Sequence, residues 1–230
     1  MKPHLLLTFS SFHVESDPNN KREEEYAICY EQLLRVLPDD FVCRFIDNTT
    51  DNISDIKNER LKNVLAETPL VLYNNNVGKT NKGLGELHML VRAKKLLDFS
   101  KYETISYHSG RKIVTCPYVF DKTRQNKKEA MVSNPPIYSL QTGQPYPTGV
   151  NLYNDMFFSM KSDVMVRYCQ YAETILERGS SGLGSEQILY NFINENSIDY
   201  EWIEHLGFIR NDWEMTSREY TREQGNAQWI

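Results

Sequence analysis

The chain has 230 residues, enough for one domain with a sizeable core and short for two. Apolar residues make up 40% and charged residues 25%, which is ordinary globular composition. A formal net charge of -5 argues against a nucleic-acid binder that works by neutralising phosphates, and leaves room for a local basic patch facing one pyrophosphate.

In chain order, residues 5–9 are a short apolar run that suits a buried strand, and residues 10–21 are a polar loop holding Pro18. Residues 23–37 keep Tyr26, Ile28, Cys29, Leu33, Leu34 and Leu37 at helical spacing, with acids in the first turn where the helix dipole favours them. Residues 41–46 read as a second strand, stopping at Asp47-Asn48-Thr49. Residues 54–65 read as a second helix with Ser54 as its N-cap, and residues 69–73 as a third strand. After a polar loop, residues 82–97 form the clearest helix, and residues 103–107 a fourth strand ending at His108-Ser109-Gly110-Arg111.

This alternation predicts a parallel sheet with helices on both faces. In such sheets the ligand sits beyond the carboxyl ends of the strands, where every polar cluster just named falls. The second half is less regular. Residues 122–148 read as a long excursion or lid, 154–159 as a strand, 163–177 as a helix, 178–185 as a Gly/Ser-rich loop, 186–194 as a helix and 200–203 as a late strand.

No stretch approaches the roughly 20 apolar residues of a membrane span, and Leu5-Leu6-Leu7 is too short for a signal core. Cys29, Cys43, Cys116 and Cys169 form no CxxC pair and read as buried free thiols. A cytoplasmic protein is expected.

Four clusters could carry chemistry. At Asp47-Asn48-Thr49 a carboxylate can accept from a base N–H or a ribose hydroxyl, although these residue types also favour plain turns. Residues 74–86 run from a strand into a helix. Asn76, Lys79, Lys82, Gly83 and Glu86 lie there, and glycines with a helix start suit phosphate or sugar. Gly78-Lys79-Thr80 is no P-loop, because Tyr73 stands where the first glycine must be. Gly83-Leu84-Gly85 is no dinucleotide fingerprint, because His88 stands at its third glycine. At His108-Ser109-Gly110-Arg111 a guanidinium could fork onto a diphosphate, or simply pair with a nearby acid. At Ser185-Glu186-Gln187, Ser185 can cap a helix, and Glu186 could act as a general base or merely complement the dipole. His88 and Glu204-His205 lack a metal-spaced partner, and His4 and His13 read as incidental.

Taken together, Asp47-Asn48-Thr49, Asn81-Lys82-Gly83-Leu84-Gly85-Glu86, Ser109-Gly110-Arg111 and Ser185-Glu186-Gln187 resemble, in order and spacing, small GT-A-type glycosyltransferases, including short stand-alone members of large DNA viruses and bacteria. The resemblance spans residues 5–210. It implies a single α/β, GT-A-like (Rossmann-like) domain over residues 1–215, with a mostly parallel sheet flanked by helices. The nucleotide half would be residues 1–115, the acceptor half 116–215, and residues 216–230 a polar tail.

In that class Thr8, Phe9, Ser10, Asp47, Asn48 and Thr49 would hold the nucleoside. Asn76, Lys79, Lys82, Gly83, Glu86, His108, Ser109, Gly110 and Arg111 would face the diphosphate and donor sugar. Glu186 would serve as base in an inverting enzyme. The implied partners are a nucleotide sugar and a glycan or other small hydroxyl acceptor. Most GT-A enzymes carry Asp-x-Asp after the fourth strand to hold manganese or magnesium. His108–Arg111 stands there instead, which assigns the diphosphate charge to Arg111 and lysines. A nucleotidyltransferase making sugar nucleotides would want a Gly-rich, Lys/Arg-bearing loop after the first strand, where this chain has Ser10-Ser11-Phe12-His13. A non-catalytic carbohydrate- or protein-binding domain is the third reading.

Overall fold

The apolar run near the N-terminus becomes a central strand. In the computed structural model, which describes residues 2–15, 17, 19, 21–133, 153, 156–178, 184–203, 206 and 208–210, strand β1 (His4–Ser10) is buried from Leu5 onward. It is followed by α1 (Lys21–Val36), β2 (Phe41–Asp47), α2 (Glu59–Ala66), β3 (Leu70–Leu72), α3 (Val77–Thr80), α4 (Lys82–Leu96) and β4 (Thr104–Ser109). These four strands pair in parallel in the order β3-β2-β1-β4, as the alternation predicts. Side chains alternate across β1. Leu5, Leu7 and Phe9 join one core, and Leu6 joins the other.

The remaining elements are β5 (Lys112–Val114), α5 (Tyr118–Gln125), β6 (Ala130–Ser133), β7 (Phe157–Lys161), α6 (Ser162–Glu177), α7 (Ser185–Glu195), β8 (Tyr200–Ile203) and β9 (Phe208–Arg210). β7 runs antiparallel to β4 and to β6, and β8 lies parallel to β6. The full order is therefore β3-β2-β1-β4-β7-β6-β8, a mostly parallel seven-stranded sheet. β5 and β9 form a separate antiparallel ribbon. One face is covered by α4, α6 and α7 through Leu87, Leu90, Val164, Met165, Ile188 and Phe192. The other is covered by α1, α2 and α5 through Tyr26, Tyr30, Leu33, Leu61, Val119 and Phe120. Burial on both faces is why β1 carries no polar alternation. Among the described residues no helix is long and apolar enough to cross a membrane.

Several boundaries differ from expectation, each for a local reason. Ser54 caps no long helix. It lies in a 3-10 turn (Ile53–Asp55) capped by Asn52, and α2 begins four residues later, where Asn58 Oδ1 accepts from Leu61 N–H at 2.9 Å. Ser185 is the first residue of α7, and the extended Gly184 is its N-cap. β4 runs on through His108 and Ser109, so only Gly110 and Arg111 form the turn into β5. The expected excursion at 122–148 contains the end of α5 and all of β6, and residues 134–148 lie outside the described residues. The strand expected at 154–159 is β7, shifted to Phe157–Lys161. All four cysteines are free thiols, three buried and Cys116 partly exposed. The tail from residue 211 onward lies outside the described residues.

Candidate functional site at the carboxyl edge of the sheet

The parallel register brings the polar strand ends together: Ser10 pairs with Asp47 across β1 and β2, and Phe9 with Ser109 across β1 and β4. Asp47 is fully buried. Its Oδ1 accepts from Thr49 N–H at 2.7 Å and Thr49 Oγ1 at 2.9 Å, and its Oδ2 from Phe12 N–H at 2.9 Å. Burial pushes its carboxyl above the usual range, against the pull of those donors. The carboxylate expected to meet a ribose therefore ties the loop after β1 to the loop after β2. It shapes the rim without facing solvent.

Neighbouring groups extend the network. Asn48, also fully buried, accepts from Ser11 Oγ at 2.8 Å, and its Nδ2 has no hydrogen-bond partner among the described residues. Ser11 N–H donates to Tyr26 Oη at 3.0 Å, and His13 N–H to Thr49 Oγ1 at 2.9 Å. Three successive amides of the β1 loop, at Ser11, Phe12 and His13, are thus spent within the chain. His13, which looks incidental in sequence, places Nε2 2.7 Å from Glu23 Oε1 and Nδ1 3.2 Å from Thr50 Oγ1. Glu23 Oε2 also accepts from the N–H groups of Lys57 and Asn58, at 2.8 and 2.7 Å. No spacing rule links residue 13 to 23 and 57, so this latch is invisible until the chain folds.

Four of the residues expected to touch the donor, Thr8, Phe9, Ser10 and His108, point inward. Thr8 Oγ1 lies 3.7 Å from Cys43 Sγ and 3.4 Å from His108 Nδ1, and both residues are fully buried. His108 also packs edge-on against Phe208, ring centroids 5.4 Å apart. Phe9 stacks on Tyr107 at 4.7 Å, inside the sheet. Ser10 Oγ donates to the Ile46 carbonyl at 3.1 Å. Ser10 and His108 are sheet interior because β1 and β4 run one and two residues beyond the expected strands, and Thr8 and Phe9 lie within the expected run itself. Ser109, 6% exposed, is likewise the last residue of β4.

The loop after β3 behaves more as expected. Asn76 is exposed and adopts a left-handed conformation (φ 58°) that opens α3. Lys79 in α3 is partly exposed. Asn75 N–H reaches the Asn48 carbonyl at 3.4 Å, fastening this loop to the end of β2. Asn81 Oδ1 caps α4 by accepting from Leu84 N–H at 3.1 Å. Lys82 opens α4, and its side chain lies outside what the structure describes. Glu86 is 1% exposed and accepts from Tyr107 Oη, so it is an inward-facing support.

Gly83 marks a junction: a Cβ added there would lie 2.9 Å from Ser185 Oγ. The starts of α4 and α7, about a hundred residues apart in sequence, are therefore in contact. Glu186 sits on that junction, half-buried, with Oε2 3.4 Å from Ser185 Oγ. Two adjacent helix starts concentrate amide N–H groups and the positive ends of two helix dipoles.

On the far side of β4, Gly110 N–H donates to the Phe9 carbonyl at 2.8 Å. There is no room for a side chain, since a Cβ would lie 2.7 Å from that oxygen and 2.9 Å from the Tyr30 ring. Arg111 pairs with an acid, one of the two readings its turn allows. Its Nη1 donates to Glu25 Oε2 at 3.0 Å, and its side chain is 29% exposed. Burial opposes its charge, but Tyr26, Glu25 and Glu86 outweigh burial and hold its pKa above the ordinary value. Arg22, half-buried in the first turn of α1, is a second cation that sequence reading missed. Burial and then the field of Arg111 depress its pKa.

Where an Asp-x-Asp would hold a cation, the end of β4 offers a buried imidazole and a serine, with no carboxylate. That donor set does not suit manganese or magnesium, which want oxygen ligands. Among the described residues no cluster of three or more His, Cys, Asp or Glu is placed to hold a metal ion. Glu204-His205 lies outside the described residues.

No family model and no curated protein matches the sequence. The fold has solved counterparts. A protein from Desulfovibrio desulfuricans G20 described as a nucleotide-diphospho-sugar transferase superposes with a TM-score of 0.55 at 9% identity, over 89% of this chain and 80% of that one. Mouse xyloside xylosyltransferase 1 superposes with a TM-score of 0.51 at 10% identity, over 88% of this chain and 85% of that one. The inositol-1-phosphate CTP transferase from T. maritima gives 0.52 at 11%, over 89% and 86%. At these identities the likeness is one of fold: the chain has the GT-A-like fold of nucleotide-diphospho-sugar transferases.

Proposed function

We propose that the chain is a glycosyltransferase that moves a sugar from a nucleotide-sugar donor to a hydroxyl of a glycan or similar acceptor. The observation that supports this reading is the crowding of Gly83 against Ser185 Oγ, the hydroxyl that also lies 3.4 Å from Glu186 Oε2, so that one serine links the amide-rich start of α4 to this carboxylate. A base next to an anion-attracting helix start is what sugar transfer from a diphosphate needs. Glu186 takes the proton of the acceptor hydroxyl as that oxygen bonds to the anomeric carbon. The bond from that carbon to the diphosphate breaks, and its electron pair leaves with the diphosphate. Lys79, Lys82 and the Glu25-oriented Arg111 meet the departing charge as fixed cations. The loops after β1 and β2, tied together by Asp47, form the rim that receives the nucleoside.

Likeness to a CTP transferase makes nucleotidyl transfer the competing reading. Against it stands the β1 loop. A loop that cradles a triphosphate does so with free backbone N–H groups, and those of Ser11, Phe12 and His13 already have acceptors within the chain. The test is a thermal-shift screen against UDP-, GDP-, CDP- and dTDP-sugars and the nucleoside triphosphates, with and without manganese, followed by assay of donor hydrolysis and pyrophosphate release. One nucleoside diphosphate sugar should raise the melting point and be slowly hydrolysed. Stabilisation only by a nucleoside triphosphate, with pyrophosphate release, would replace this reading with nucleotidyl transfer. Stabilisation without turnover would leave a binding module.

A further inference from the structure

Beyond the donor site, the far edge of the sheet carries an aromatic cluster. Tyr153, 4% exposed, lies at its centre, with ring centroids 5.3 Å from Tyr190, 5.6 Å from Tyr200 and 6.0 Å from Trp202. Tyr200 and Trp202 are 6.4 Å apart and two residues apart on β8, so they share one face of the edge strand. Trp202 is 38% exposed, and Tyr190 and Tyr200 are partly exposed. A lone exposed aromatic needs no explanation. Four joined through Tyr153, with three reaching solvent, make a shelf.

The shelf adjoins the proposed base. Tyr190 follows Glu186 by four residues on α7, so the two lie on one helix face about 6 Å apart along the axis. β8 runs parallel to β6, which is antiparallel to β7 as β4 is, so the carboxyl end of β8 lies at the same edge of the sheet as those of β1 and β4. A pyranose has one face of C–H groups and a rim of hydroxyls. Aromatic faces bordered by phenol O–H groups match both parts.

We propose that Tyr190, Tyr200 and Trp202 form the acceptor subsite, with Trp202 stacking on a pyranose ring of a glycan whose next hydroxyl is presented to Glu186. This rests on the glycosyltransferase reading and names its acceptor as an oligosaccharide. The probes are a glycan array and then titrations with xylotriose, chitotriose, cellotriose and maltotriose, read by indole fluorescence and calorimetry. Wild type, Trp202→Phe and Trp202→Ala are compared, each checked for native circular dichroism. At least one saccharide should bind wild type saturably. Trp202→Ala should weaken it roughly tenfold, and Trp202→Phe should recover part of the loss. The thermal shift with nucleotide sugar should stay unchanged in all three. Wild type that hydrolyses donor yet binds no saccharide, or Trp202→Ala that binds as tightly as wild type, overturns the shelf alone. Saccharide binding that depends on Trp202 in a protein indifferent to every nucleotide removes the transferase reading, and the name acceptor with it, and leaves a glycan-binding shelf.

Discussion

Arg111 Nη1 donates to Glu25 Oε2 over 3.0 Å, and this ion pair joins the turn after β4 to the N-terminal part of α1. The cation at the Asp-x-Asp position is therefore oriented by a buried acid before any ligand arrives. An oriented guanidinium gives fixed, forked donors to a diphosphate, which an ammonium cannot copy. Charge on the leaving diphosphate grows in the transition state, so the gain falls on turnover more than on ground-state binding. Arg111→Lys should lower kcat on the order of 100-fold, with donor affinity changed far less. Manganese should not restore it, and EDTA should leave wild type active. Steady-state kinetics in both conditions decide the matter: wild type silenced by EDTA, beside a mutant at full speed in manganese, would contradict it.

Glu25→Gln tests the same pair from the other side. Removing the acid leaves a mostly buried positive charge without its counter-ion. Breaking a fully buried pair costs about 3–5 kcal/mol, and roughly 1–3 kcal/mol is expected here because Arg111 keeps access to water. Denaturant unfolding should show that loss, and a midpoint equal to wild type would mean that the pair contributes nothing.

Asp47 is expected to matter for stability first. In Asp47→Ala the buried N–H groups of Phe12 and Thr49 lose their acceptor. Each stranded donor costs about 1–3 kcal/mol, and about 1 kcal/mol moves Tm by roughly 2–4 °C in a protein of this size. Asp47→Ala should melt several degrees lower and bind nucleotide poorly because the rim loosens. Loss of binding at an unchanged Tm would restore direct contact as the explanation.

The two crowded glycines should behave differently. In Gly110→Ala the new Cβ meets the Phe9 carbonyl, which sits within the sheet and cannot yield, so a loss of about 1–3 kcal/mol is expected. In Gly83→Ala it meets only the Ser185 hydroxyl, which can rotate, and the helix gains about 0.5–1 kcal/mol of propensity. Stability should hold while activity falls, since Ser185 is the neighbour of Glu186. Melting and turnover measured on both variants would expose the opposite ranking if it exists.

Much of this architecture is legible in the sequence because buried parallel strands leave unbroken apolar runs, as residues 5–9 and 41–46 do, and α4 leaves a clean helical period. The strand ends are less legible. Thr8, His108 and Ser109 are polar residues inside a strand, and only the register that pairs Thr8 with His108 explains them. The ribbon of β5 and β9 joins three-residue segments almost a hundred residues apart, which no local pattern announces. Arg22 is hidden for a similar reason: in sequence it is one charge among Lys21, Glu23, Glu24 and Glu25, and only folding sets it near Arg111.

The latch between His13 and Glu23 should make the rim sensitive to pH. The hydrogen bond to Glu23 is the largest influence on His13 and raises its pKa above the ordinary 6.5, burial opposes it, and the fields of Glu23, Asp47 and Asp55 add to the rise. A base whose pKa is raised on folding contributes stability that is complete below its unfolded pKa and is lost as pH rises through the folded value. Burial alone would raise the Glu23 pKa, but His13 and the N–H groups of Asn58 and Lys57 hold it below the ordinary 4.5. Its contribution is therefore present above that value and lost as pH falls through the depressed one. The pair stabilises most between the two ordinary values. His4 and His88 have pKa values lowered by burial and pull the opposite way, so wild type alone cannot isolate the latch. Urea unfolding of wild type and His13→Gln at about pH 6 and about pH 9 separates them. The gap between the two proteins should be widest near pH 6 and should shrink toward pH 9 as the imidazole loses its proton and with it the charge that it offers Glu23. Because Glu23 also holds the start of α2, hydrogen exchange at Lys57 and Asn58 should quicken at the higher pH in wild type, beyond the base-catalysed rate of an unprotected amide. A stability gap that stays the same at both pH values would mean that His13 is held neutral and that the latch carries no charge.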